Sequence, residues 1–133
     1  MGYTTHVVGE FAIEPPLTWS EFKDSEFAPD NVENSYTPSL TLRTNEQPVE
    51  KEDGVFLHRT ATALVMREID EYRERGLVAE VQRAIDSFPG HTFSGRLECE
   101  GEENTDIWRV IVRNGRAQRI EPRIVWPDEV DTT

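Results

Sequence analysis

The sequence predicts an α+β fold: a single antiparallel sheet of about five to six strands, with one main amphipathic helix and a short N-terminal helix packed on one face. Three observations carry this. Residues 3–13 alternate with the period of a half-buried strand. Residues 77–88 repeat apolar side chains at i, i+1, i+4, i+7, i+8 and i+11, which is one face of a helix. Residues 92–126 read as strands separated by short turn signals. At 133 residues the chain has the common size for one core, so residues 1–133 are expected to form a single α+β domain with a frayed tail after Trp126.

The first strand sets Tyr3, Thr5, Val7, Gly9, Phe11 and Ile13 against Thr4, His6, Val8, Glu10 and Ala12, and is expected to end at Pro15-Pro16. Thr18-Trp19-Ser20-Glu21 then reads as a capping box, with Leu17 and Phe22 placed as a hydrophobic staple. A short helix from Trp19 to Phe27 follows, stopped near Pro29, and residues 30–38 are turn-like. Leu40 and Leu42 begin an extended run whose Pro48 is tolerable only at an edge or where the strand frays. Asp53-Gly54 marks a hairpin reversal. The return strand, Val55 to Met66, is apolar and β-branched without clean alternation, and is expected to be central.

Leu77, Val78, Val81, Ala84, Ile85 and Phe88 define the main helix, which Pro89-Gly90 ends. A backward extension through Ile69 and Tyr72 stays open, because Gly76 inside a helix would cost about 1 kcal/mol relative to Ala. Val81, Ile85 and Phe88 are expected to pack on Leu97, Trp108 and Val110. The last third reads as a meander: Thr92–Glu100, a loop over residues 101–105, Asp106–Val112, a turn at Asn114-Gly115, and Arg116–Trp126. A two-residue turn would set Val110 beside Arg119 and Trp108 beside Glu121, mixing core with charge. A three-residue Arg113-Asn114-Gly115 bulged turn instead groups Trp108, Val110 and Val112 with Gln118, Ile120 and Ile124, and is the expected register.

The formal charge is −12, and it is uneven: residues 1–53 carry −8, residues 54–88 carry −1 and residues 89–133 carry −3. Such a field opposes direct binding to nucleic acid or to an anionic membrane. The longest apolar stretches, Ala61–Met66 and Trp108–Val112, fall far short of the ~20 residues of a membrane span. The opening Met1-Gly2-Tyr3-Thr4-Thr5-His6 is unlike a basic-then-apolar leader, so a cytoplasmic location is expected. Cys99 is the lone thiol, and with three scattered histidines it forms no zinc set; no metal and no cofactor are expected.

The three-residue turn sends Arg109, Arg119, Glu121 and Arg123 to the face opposite the core, where Arg96 and Glu98 also point. Guanidinium forks match carboxylate and phosphate, so Arg96, Arg109, Arg119 and Arg123 are the candidate ligand- or partner-binding residues. Weighed against this is a solvated face laced by Arg and Glu pairs, each worth a few tenths of a kcal/mol. The carboxylates from Glu98 to Asp106 lack the interleaved spacing of a calcium loop. His6, His58 and His91 lie near no recognisable nucleophile, and Cys99 reads as a small core residue.

The stretch FSGRLECEGEENTDIWRVIVRNGRA, from Phe93 to Ala117, carries Gly95, Glu98, Gly101, Glu102, Asp106 and Trp108 in an ordered pattern. Gly2-Tyr3-Thr4-Thr5 and Glu14-Pro15-Pro16-Leu17-Thr18 add to it. In these positions the chain resembles a family of small uncharacterised proteins of actinobacteria and their phages, a domain of unknown function. The resemblance covers under half of the chain and implies a neighbourhood of mobile elements, but no activity.

Two functions are weighed. The first is a non-catalytic acidic protein-interaction module, an inhibitor- or immunity-like accessory factor that docks on a basic partner protein. The alternative is a small-molecule binder or enzyme that holds a phosphorylated ligand on the arginine-bearing sheet face. The absence of a catalytic constellation, the small size and the lopsided charge favour the first.

Overall fold

The computed structural model of the chain describes residues 4–31, 38–69, 72, 74, 76–103 and 106–127. Six strands build one antiparallel sheet: β1 (His6–Thr18), β2 (Leu40–Lys51), β3 (Gly54–Met66), β4 (Thr92–Glu100), β5 (Ile107–Arg113) and β6 (Arg116–Ile120). Their order is β2-β3-β1-β4-β5-β6, so β1 is central and β2 and β6 are the edges. The molecule is mostly sheet. Among the described residues the sheet is joined by one four-residue helix, α1 (Trp19–Phe22), one longer helix, α2 (Leu77–Ser87), and a 3-10 turn at Pro29–Asn31.

One side of the sheet carries the core. Phe11, Ile13, Leu42, Leu64, Leu97 and Val110 share a single buried cluster with Phe22 of α1 and with Leu77, Val81 and Ala84 of α2; Trp108 and Phe88 belong to it too. The staple residues Leu17 and Phe22 are fully buried in that cluster, and the Glu21 carboxylate accepts from the Thr18 amide at 2.9 Å and from the Thr18 hydroxyl at 3.0 Å. Glu80 is buried as well. It accepts from the Ser39 amide at 2.9 Å, which ties α2 to the start of β2, and burial pushes its carboxyl above the ordinary range.

Several expectations change. β1 does not end at Pro15-Pro16 but runs on to Thr18. Its ladder with β4 closes at Glu14 opposite Thr92, and its ladder with β3 skips from Ala12 to Leu17. The prolines therefore fall where their missing N–H groups break no ladder bond. The first helix stops at Phe22 rather than Phe27: beyond it the Ser25 and Ala28 amides donate only three residues back, to Phe22 and Ser25, the Phe27 amide donates to the Ser25 hydroxyl at 3.1 Å, and the Phe27 carbonyl accepts from the Leu42 amide of β2 at 2.9 Å. No backward extension of α2 exists among the described residues; the Glu74 carboxylate instead accepts from the Leu77 amide at 2.9 Å, at the helix start. Residues 32–37 of the expected turn, and the expected frayed tail past Pro127, lie outside the described residues.

The hairpin registers also differ. Lys51 pairs with Gly54, so the first reversal turns on Glu52-Asp53. In the last hairpin Arg113 pairs with Arg116 across the two-residue turn Asn114-Gly115, with φ of 51° and 74°, the left-handed pair that a tight hairpin turn needs. The expected three-residue bulged turn is overturned. Val110 does face Arg119, and the mixing of core and charge is resolved by stacking: the Arg119 guanidinium carbon lies 4.4 Å from the centroid of the Trp108 ring. β6 ends at Ile120, well before Trp126.

Candidate functional site

The side of the sheet away from the core is built from the other parity of each strand. Three cross-strand rows follow from the register: His6, Glu100 and Ile107; Val8, Glu98, Arg109 and Ile120; Glu10, Arg96, Ile111 and Gln118. β1 and β4 approach closely in this region. A Cβ added at Gly95 would lie 2.3 Å from the Glu10 carbonyl oxygen, and one at Gly9 equally close to that of Arg96, so both positions need glycine.

At the end of the sheet where β1 begins, the first two rows and the chain after β6 enclose a groove of about 410 Å³. Val8, Ile107, Ile120 and Pro122 supply its apolar lining, and His6, Glu98, Glu100, Glu121 and Arg109 its polar groups. Val8 is 49% exposed and Ile107 42%, although both are large apolar side chains on strands. Three carboxylates thus stand against one guanidinium in the lining. Glu100 has no ion pair among the described residues, whereas a single oxygen of Glu98 takes Arg109 at 3.2 Å and Arg96 at 3.4 Å.

The four candidate arginines are not brought together. Arg96 and Arg109 share the open face, both on Glu98. Arg119 has the opposite parity, over Trp108 and 2.8 Å from the Glu121 carboxylate. Arg123 lies in the irregular segment after β6, exposed and without an ion pair among the described residues. A fifth arginine, Arg43, clamps Glu10 with two bonds of 2.7 Å and holds that carboxyl below its usual range. Apart from Arg123, the guanidinium groups here are spent on carboxylates, and no cradle for a phosphate forms among them.

The apolar groove was not among the sequence expectations. Its signal is visible in β5, IWRVIVR, where Ile107 and Ile111 occupy one parity and Trp108, Val110 and Val112 the other, so the strand is apolar on both faces. Cys99 is buried, and burial pushes its thiol up to about 11, which leaves it a protonated core side chain. His91 is held at both ring nitrogens: its Nδ1 lies 2.6 Å from the Pro15 carbonyl oxygen and its Nε2 2.7 Å from the Glu21 carboxylate. No described helix is long and apolar enough to cross a membrane.

A family of unknown function, DUF6205, matches residues 1–133, and the chain belongs to that family. The match includes the middle third, which the resemblance read from residues 93–117 did not reach. No curated protein and no solved structure matches the chain.

Proposed function

We propose that this member of a family of unknown function is a non-catalytic protein-interaction module, one that holds a basic partner protein on the open face of its sheet. The observation that supports the reading is the groove lined by Val8, Ile107, Ile120 and Pro122 and edged by Glu98, Glu100 and Glu121. Apolar side chains left in water beside the Glu100 carboxylate, which has no ion pair among the described residues, suit a partner that is itself apolar and positively charged. With both helices on the core side, no described element covers that face. A net charge of −12 adds long-range attraction for such a partner and repels other acidic chains. An inhibitor- or immunity-like accessory factor of a mobile element is the form of this reading that fits the size. The phosphorylated-ligand alternative has less support, since Arg96 and Arg109 are engaged by Glu98 and Arg119 points the other way.

The test is capture from a lysate of the producing cells by the wild type and by Val8→Asp and Ile107→Asp. Both positions are exposed, so each variant is expected to unfold within about 0.5–1 kcal/mol of the wild type. A partner retained by the wild type in low salt and lost from both variants supports the reading. Identical capture by all three, at every ionic strength, removes its basis.

A further inference from the structure

The hairpin of β2 and β3 outgrows the sheet. β1 accompanies β3 only as far as Thr18 opposite Thr60, yet the two hairpin strands stay paired through six further positions, Glu46 opposite Arg59 to Lys51 opposite Gly54. At about 3.3 Å per residue this two-stranded arm reaches roughly 20 Å beyond the third strand. A hairpin without a third strand or a covering helix is marginal in water. This one is also apolar in an unprofitable way: Val55 and Leu57 are each 65% exposed and Phe56 46%.

The register divides these side chains between two surfaces. Leu57, opposite Pro48, lies on the side of α1, where it lines a notch of about 500 Å³ with Trp19 and Arg59. Phe56, opposite Val49, lies on the other side with the Lys51 ammonium 5.5 Å from its ring centroid. Arg59 is fully engaged: it stacks on Trp19 and pairs with Glu46 and Asp30. At the tip Glu50, Glu52 and Asp53 carry no ion pair among the described residues, so the arm presents net negative charge around its apolar side chains.

We infer that this arm is a docking element that inserts into a partner protein offering an apolar crevice rimmed by lysine or arginine. The inference rests on the reading of the chain as an interaction module and adds a second surface to it, remote from the sheet groove. A second copy of the chain fits poorly as the occupant, because it would bring another acidic tip and another −12 of net charge to the same place. A basic, apolar crevice satisfies both features of the arm, and binding there takes Val55, Phe56 and Leu57 out of water.

A photo-crosslinking residue placed at Phe56 of the full chain, and separately at Val8, tests this in a lysate of the producing cells. The expected result is an adduct from position 56 whose crosslinked peptide is apolar and flanked by Lys or Arg. The purified partner is then expected to bind Leu57→Asp and Phe56→Asp at least tenfold more weakly than the wild type, both variants keeping the wild-type circular dichroism and Tm. Adducts from Val8 alone would leave the module reading standing and overturn the arm. Adducts from neither position overturn both, and an adduct with a second copy, or unchanged affinity in the two variants, overturns the arm as a foreign-protein dock.

Discussion

His91 faces two acceptors and therefore has to be charged to satisfy both. The Pro15 carbonyl oxygen at 2.6 Å from Nδ1 and the Glu21 carboxylate at 2.7 Å from Nε2 can only accept, so both ring nitrogens must donate, as they do in the imidazolium form alone. Burial works against that charge, since the side chain is only 7% exposed, but the Glu21 carboxylate and the Pro15 carbonyl outweigh it and the ring is held above its ordinary 6.5. Glu21 is held below its ordinary 4.5, first by the Thr18 amide and then by His91. The sign of the linkage follows. With a raised folded value, the His91 contribution is fully present below 6.5 and is lost as pH rises through that raised value. The stability difference between wild type and His91→Ala is accordingly expected to be largest near pH 6 and to shrink towards pH 9, read from denaturant midpoints across that range. A difference that stays level with pH would show that the ring does not titrate in the folded chain. None of this was legible in the sequence, because Pro15, Glu21 and His91 meet only once β1, α1 and β4 are assembled.

Elements were legible where one parity or one helical face dominates, and not where it does not. Thr92–Glu100 and the helix from Leu77 matched the expected boundaries because their apolar spacing is uninterrupted. Val55 to Met66 gave no alternation for two reasons now visible: its first half lies in the arm with no side to bury, and a register shift between Arg43 and Thr44 on β2 breaks its parity. The final hairpin departs from the expected register because an arginine at a core parity is tolerated here: a guanidinium at an edge strand can lie on a tryptophan. The corrected register separates two arginines that the sequence treated alike. Arg119 covers Trp108, with its guanidinium carbon 4.4 Å from the ring centroid, while Arg109 makes a solvent-exposed pair with Glu98. Arg119→Gln is expected to lower stability by about 1 kcal/mol and to shift tryptophan emission to the red. Arg109→Gln should cost less than about 0.5 kcal/mol and leave the emission in place. Equal effects on midpoint and emission would return both arginines to the same face.

At the scale of the whole molecule the question is whether charge holds the fold together or strains it. The described ion pairs join side chains that are mostly exposed, such as Arg43 with Glu10 and Arg83 with Glu26, and pairs of that kind contribute about 0–1 kcal/mol each. Against them stands a net −12 on 133 residues, with −8 of it in residues 1–53. Several of those acids lie at the arm tip with no ion pair among the described residues, and the sum of such repulsions acts over longer distances than the pairs do. Salt screens both, but the Debye length falls from about 30 Å at 0.01 M to about 8 Å at 0.15 M, which removes the long-range repulsion first. The fold is therefore expected to gain on the order of 1 kcal/mol between 10 mM and 300 mM NaCl, a rise in Tm of roughly 3–5 °C for a chain of this size. The binding of a basic partner should move the opposite way over the same range, since there the field is attractive. The two readouts, Tm of the free chain and affinity of the captured partner, thus have opposite signs from one cause. A Tm that falls with added NaCl would mean that the ion pairs dominate and that the acidic surface is not strained by its own charge.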